Sequence, residues 1–253
     1  MKREHMADRL ITAAIALTIL GSWEVAARLG WISALAFPPP TRILANFGVL
    51  WHQDFAAKVA ITMGRFAAGA LMGAIPAILL GLLVGSWQRL NRIIDPFIAA
   101  IHPIPKIVLF PLFIVIFGIS EWSKLASIAL TVFFPALINS AAGARSISPL
   151  YFEVLRNYGG KRAEAFWYVL LPGSAPMILS GIRIAANVGL LVTIAIEFTM
   201  TSTGIGSIIW LAWQTMRTED LYAGVVTLSV IGIVINATLQ WLLRRLTPWQ
   251  ESK

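Results

Sequence analysis

Cysteine is absent from this 253-residue chain, histidine is limited to three residues, and acidic side chains number twelve against twenty basic ones. Without cysteine, disulfides, thiol nucleophiles and cysteine-based metal sites are excluded. The histidines, at positions 5, 52 and 102, are scattered over different regions, so no metal site is expected from them. A phosphate-binding loop is also missing. Gly160-Lys161 lacks the upstream glycine and the following Ser or Thr, so this chain is expected to bind no cofactor, and any nucleotide belongs to another polypeptide. Charge is scarce at 13%, while 58% of residues are hydrophobic, a composition that suits hydrocarbon better than water.

The chain therefore reads as an integral membrane protein. A spanning helix needs about 20 apolar residues at roughly 1.5 Å each, leaving room for five or six spans and no separate soluble domain. Six candidates run over Leu10–Leu29, Val59–Trp87, Ile93–Gly118, Leu125–Ala142, Pro172–Met200 and Tyr222–Leu243. The ten-residue alternation of a membrane barrel is absent, so the expected fold is all-α and polytopic. Residues 1–253 form a single unit, with an N-terminal span at 10–29, core spans over 59–243 and a polar loop at 145–171. Lys2, Arg3 and Arg9 before the first apolar run resemble a secretory signal. However, no small-residue cleavage site follows and the run continues to Leu29, so the segment is read as a retained span.

The distribution of Lys and Arg orients these spans. With the N-terminus inside, twelve fall on the cytoplasmic side: Lys2, Arg3, Arg9, Arg89, Arg92, Arg145, Arg156, Lys161, Arg162, Arg244, Arg245 and Lys253. Five fall outside, namely Arg28, Arg42, Lys58, Lys124 and Arg217, while Arg65, Lys106 and Arg183 lie within or at the edges of spans. Both termini and the loop are thus expected in the cytoplasm. The net charge of +8 follows from topology, with contact to anionic lipid as a by-product and no call for nucleic acid.

Glu153 to Pro172 is a charged, glycine-broken island in this apolar chain. Ser148 and Pro149 suit the N-cap and first turn of a helix, with Tyr151, Phe152, Leu155 and Tyr158 as its apolar face. Gly159 and Gly160 break that helix. A second short helix, from Lys161 to Leu170, carries Phe166, Trp167 and Leu170, and Pro172 starts the next span. Two amphipathic helices hinged at glycine can lie on a membrane as a connector or enter a partner's groove.

The island resembles the EAA loop of ABC-importer permeases. Glu153, Gly159, Leu171 and Pro172 fall at that family's spacing, and Pro176 follows, while Val154 and Leu155 replace the two small residues after the Glu. The likeness covers nearly the whole chain and is to the type I branch serving nitrate, sulfonates, taurine and bicarbonate. It includes Phe37-Pro38-Pro39-Pro40-Thr41, Pro103-Ile104-Pro105-Lys106, Phe117-Gly118-Ile119-Ser120-Glu121 and Ser123-Lys124. Further matches are Phe134-Pro135-Ala136, Leu171-Pro172-Gly173, Ala195-Ile196-Glu197, Gly204-Ile205-Gly206 and Arg217-Thr218-Glu219-Asp220.

The resemblance implies a permease subunit of the bacterial inner membrane. Two such subunits would form the path, here as a homodimer, with a solute-binding protein outside. Two cytosolic ATPase subunits would carry ATP and Mg. It also implies that the island is the coupling helix, with Glu153, Arg156, Gly159, Gly160 and Pro172 as the residues engaged by the ATPase.

Other positions stand out on physical grounds. Gly69, Gly73, Ala77, Gly81 and Gly85 recur every fourth residue and form a groove for close helix approach, either within the chain or between two copies. The third span carries Pro96, Pro103, Pro105 and Pro111, each liable to bend or interrupt it, so Pro103 and Pro105 are expected to border the translocation path. Lys106 within that span either attracts an anionic solute, snorkels, or joins a structural ion pair. Glu197 would repel an anion unless protonated or paired, and is read as a gate or a structural group. Glu24 and Arg65 are expected to make headgroup or periplasmic contacts. Gly204–Met216 is apolar but too short to cross, which suits an interfacial or re-entrant helix on the outer side.

A secondary transporter would show repeated halves with matching broken helices, and none is evident. A membrane-embedded enzyme would show clustered catalytic groups, and none is expected here. The solute is read only as small and anionic.

Overall fold

The computed structural model describes residues 2–51, 54–200 and 202–249. His52 and Lys253 lie outside them, as do the side chains of Lys2, Arg3, His5 and Arg9. Among the described residues every regular element is helical. In chain order these are α1 (Lys2–Arg28), α2 (Pro40–Trp51), α3 (Phe55–Ser86), α4 (Gln88–Ile101), a 3₁₀ turn (Lys106–Leu109) and α5 (Phe110–Phe117). There follow α6 (Glu121–Ser146), α7 (Pro149–Asn157), α8 (Arg162–Glu164), a π-helical stretch (Ala165–Leu170), α9 (Leu171–Met200), α10 (Ile205–Gln214) and α11 (Thr218–Leu246). Five helices are long and apolar enough to cross a membrane, or six if the bent α4–α5 pair counts as one span.

The core is a stack of α3, α6 and α9. Gly69, Gly73, Gly81 and Gly85 of α3 face Leu125, Ala129, Leu137 and Ala141 of α6, so the two helices run parallel at one constant register. The opposite face of α3 exposes Leu71, Ile75, Leu79 and Leu83, as suits lipid. Between α6 and α9 the order reverses: Gly143 meets Ser174 and Met177, Gly181 meets Asn139, and Gly189 meets Val132. These two helices are antiparallel. Outside the stack, α11 packs on α2, α9 and α10, and α1 on α2.

One element follows the sequence reading and two differ from it. The third span is interrupted, as its prolines lead one to expect: α4 ends at Ile101, and the stretch from the 3₁₀ turn through α5 departs at 82°. Pro103 and Pro105 supply no N–H to continue the ladder there. Pro172 does not begin a helix, because the chain is helical without a gap from Arg162 to Met200. A π-helical turn, closed by Leu171 N donating to Phe166 O, lies just before Pro172, which has no N–H of its own to donate. Finally, α2 is an additional amphipathic helix. Pro40 occupies its first turn, and Ile43 and Leu50 are buried on one face with Phe47 half-buried between them.

The bundle has two distinct ends. One gathers α2, α10 and the start of α11, where Arg42 meets Glu219 at 3.6 Å and Asn46 donates to Asp220 at 2.6 Å. The other carries α7 and α8, with Trp249 beyond α11 lining a hollow beside Tyr151 and Tyr168.

Candidate functional site

The α7–α8 knob is exposed, and α7 is capped at both ends. Ser148 Oγ accepts from Leu150 N at 3.4 Å, and Pro149 sits in the first turn of α7. At the other end Gly159 N donates to Arg156 O and Gly160 N to Leu155 O, both at 2.9 Å, the paired bonds of a Schellman cap. Gly159 adopts φ +81°, the left-handed region that side chains resist. Gly160 is restricted for another reason, since a Cβ there would lie 2.5 Å from Leu155 Cγ. Lys161 N then donates to Glu164 Oε2 at 2.6 Å, starting α8.

The apolar face read from sequence is split in two. Phe152 and Phe166 pack inward against a cluster of Leu82, Ala144, Leu170 and Ile178. Tyr151 and Tyr158 point away, with Leu150, Val154, Trp167 and Tyr168 also exposed, and Tyr158 is 88% exposed. Glu153 and Arg156 are exposed on α7, whereas Pro172 is half-buried. Beneath α7 lies an open cleft of about 680 Å³, lined by Gly85, Gln88, Asn91, Arg145, Glu153 and Arg156. Arg145 donates to Asn91 across it.

The break between α4 and α5 shelters a second cavity, about 520 Å³, lined by Pro103, Pro105, Lys106, Phe134, Ile184 and Val188 among others. Lys106 is buried rather than snorkelling, and among the described residues it forms no ion pair. Its Nζ donates to the carbonyl oxygens of Ile101, His102 and Ile104 at 2.7, 2.9 and 2.7 Å, and lies 4.6 Å from the centre of the Phe134 ring. An ammonium has three N–H donors, and here three backbone acceptors at the end of α4 take all of them. The cation is built into the bend.

At the opposite end of the bundle Glu197, with no exposed surface, anchors a charged cluster. Arg65 Nη1 donates to Glu197 Oε1 at 2.9 Å, while Nε and Nη2 grip Glu121 at 2.7 and 2.8 Å. Its remaining donors reach the carbonyl and hydroxyl of Thr203, at 3.1 and 2.8 Å. Lys124 also donates to Glu121, at 2.7 Å, and Glu197 Oε2 accepts from Thr62 Oγ1 and Gly206 N at 2.8 and 3.1 Å. Two cations and two carboxylates thus join α3, α6, α9 and the start of α10 without net charge, with Arg65 and Glu197 buried and Glu121 half-exposed at the edge. Arg65, expected to make headgroup or periplasmic contacts, is 8% exposed and belongs to this cluster. Glu24 likewise has an internal role: it holds Arg28 at 2.5 Å and accepts from Thr41 N at 3.0 Å, capping α2.

Gly204 and Gly206 fit around this carboxylate. A Cβ on Gly204 would fall 2.3 Å from Glu197 Cδ, and one on Gly206 would fall 2.5 Å from Glu197 Cβ. A single sequence gives no sign that Arg65 meets residues 56 and 132 positions away. The apolar repeat Ile43, Phe47, Leu50 after Pro40, by contrast, was a readable signal for α2.

Residues 77–252 match the family described as the binding-protein-dependent transport system inner membrane component. The chain belongs to that family. It is 32% identical over 249 residues to the taurine transport system permease protein TauC of Escherichia coli K12, covering 94% of this chain and 88% of that one. It is also 32% identical over 235 residues to the putative aliphatic sulfonates permease SsuC of Bacillus subtilis 168, covering 92% and 85%. Among solved structures, the inward-facing methionine ABC transporter MetNI shares the fold, with a TM-score of 0.67 at 15% identity over 76% of this chain and 95% of that one. The protein is therefore a permease subunit of an ABC importer and an inner-membrane transport component, working in a system that also has an ATPase and a binding protein.

Proposed function

We propose that residues 1–253 form one half of the path for a small oxyanion of the sulfonate or nitrate kind, and that segment 145–171 receives the work of ATP hydrolysis. Relatives named for taurine, aliphatic sulfonates and nitrate support the solute class. The observation that carries the coupling assignment is the knob itself. It has a capped helix, two stereochemically demanded glycines and an outward surface of Tyr151, Val154, Tyr158, Trp167 and Tyr168. Its inward surface is packed on the α3–α6–α9 stack, so a push on α7 or α8 passes directly into α9, with which the π-helical turn is continuous.

In this reading Glu153 and Arg156 meet the ATPase, Gly159 and Gly160 shape the turn, and Pro172 sits where the lever joins the span. Both termini and the knob lie in the cytoplasm, in keeping with Arg89, Arg92, Arg145, Arg156, Lys161 and Arg162 gathered near that end. Two ATPase subunits carry ATP and Mg, a second copy of this chain completes the path, and a binding protein docks at the α2–α10 end. Pro103 and Pro105 border the path by opening the cavity under the bend. Lys106 holds that bend rather than the solute, and the Arg65–Glu197 cluster braces the outer end.

Reconstitution tests this. Proteoliposomes holding the permease with its ATPase and binding protein should accumulate taurine, or another small sulfonate, only with ATP. Accumulation by the permease alone, or of uncharged solutes only, contradicts the reading.

A further inference from the structure

Of the cations inside the spans, Arg65, Lys106 and Lys124 have acceptors built around them. Arg183 does not. It stands on α9 with eleven uncharged residues before it, back to Pro172, and thirteen after it, up to Glu197. Its Nε donates to Asn236 Oδ1 of α11 at 3.0 Å, and Asn236 Nδ2 donates in turn to Asn187 Oδ1 at 2.7 Å. Among the described residues no carboxylate lies within ion-pair distance of Arg183. The side chain is exposed, with the two terminal nitrogens of its guanidinium left over.

A cation at membrane depth is costly unless it faces water or a counter-charge. Ile184 and Val188 line the cavity under the bend, while Arg183 and Asn187, each one residue earlier, stand on the neighbouring face of α9, outside that lining and turned toward Asn236 of α11. Fixing Nε through the Asn236–Asn187 pair orients the fork of the remaining donors. A planar fork matches two oxygens of a sulfonate, nitrate or carboxylate better than a point charge does.

We propose that Arg183, positioned by Asn236 and Asn187, is the intramembrane contact for the anionic group of the solute. This rests on the oxyanion reading above. The same guanidinium could instead meet an acidic side chain of the second permease copy, and the test separates these sources.

The test uses the intact complex in proteoliposomes with taurine as probe. Arg183→Gln should cut ATP-driven uptake at least tenfold and Arg183→Lys should retain a substantial part of it, with assembly and basal ATP hydrolysis unchanged. Because the chain has no cysteine, Arg183→Cys adds its only thiol, which a water-soluble thiosulfonate should modify in the assembled complex. Attaching a cationic thiosulfonate should restore uptake and an anionic one should not. Wild-type taurine uptake with an unimpaired Arg183→Gln variant overturns this inference alone. Loss of the assembled complex in both the Gln and Lys variants overturns it in favour of a contact between copies. An unreactive Cys at 183, with Asn187→Cys unreactive too, overturns it whatever the solute. Uptake by the wild type of an uncharged solute only overturns the oxyanion reading and this inference together.

Discussion

The Cβ that Gly73 lacks would fall 2.2 Å from the carbonyl oxygen of Ala129. The same offset of 56 residues pairs Gly69 with Leu125, Gly81 with Leu137 and Gly85 with Ala141, at 3.3, 2.6 and 2.3 Å to the carbonyl oxygens. The glycine stripe is therefore a track along which two parallel helices lie backbone to backbone. Contact this close is what helices in lipid have in place of a hydrophobic drive.

Replacing Gly73 should push α3 from α6, because the obstacle is backbone and cannot rotate away. Gly73→Ala should cost about 1–3 kcal/mol and Gly73→Leu more, seen as reduced recovery of assembled complex and a lower melting temperature. Gly64 on the same helix has nothing within 4 Å, and Gly64→Ala should be neutral or slightly stabilising.

The buried cluster at the other end predicts an order of severity. Glu197→Ala leaves Arg65 without part of its counter-charge and should cost about 3–5 kcal/mol. Glu197→Gln keeps the shape and one acceptor and should cost about 1–3 kcal/mol. Thermal unfolding of the purified complex measures both, and equal stability of all three proteins would remove the bracing role.

Lys106 and Arg183 should part company in assay. Lys106→Met frees three carbonyls at the end of α4, so the loss should register as lower thermal stability. Arg183→Gln should lower uptake while stability holds. A Lys106→Met complex that stays fully stable yet loses affinity for solute would return Lys106 to the path.

Gly159 should tolerate Asn better than Val. Leaving the left-handed region is not open to it without undoing the Schellman cap, and a side chain there costs roughly 1–2 kcal/mol, less for Asn. Gly159→Val should leave the spans inserted but lower transport per ATP hydrolysed. Gly159→Asn should retain most coupling.

Much of this architecture was legible because its signals are local. Apolar runs of spanning length located the long helices, and Pro103 and Pro105 marked an interruption in the third. Ser148-Pro149 and Gly159-Gly160 bounded α7. What was not legible depends on distant partners. Nothing near Arg65 in the chain points to Glu121 or Glu197, and nothing near Lys106 shows that the bend turns three carbonyls onto its ammonium. The split of Phe152 from Tyr151 and Tyr158 was hidden for a related reason, since an amphipathic pattern identifies apolar residues without saying which of them a neighbouring helix will cover. Pro172 misled because a proline at a helix start and one behind a π-helical turn look alike in sequence.

The most direct test of the account uses Tyr158, the most exposed large hydrophobic side chain of the knob. In a chain without cysteine, Tyr158→Cys is a single reporter for the tip of the proposed lever. In inside-out vesicles a membrane-impermeant thiol reagent should label it, the ATPase subunit should protect it, and a short bifunctional reagent should link the two. Labelling from the external face instead, or unchanged reactivity with and without the ATPase, would contradict the claim that this knob is where the importer's motor takes hold.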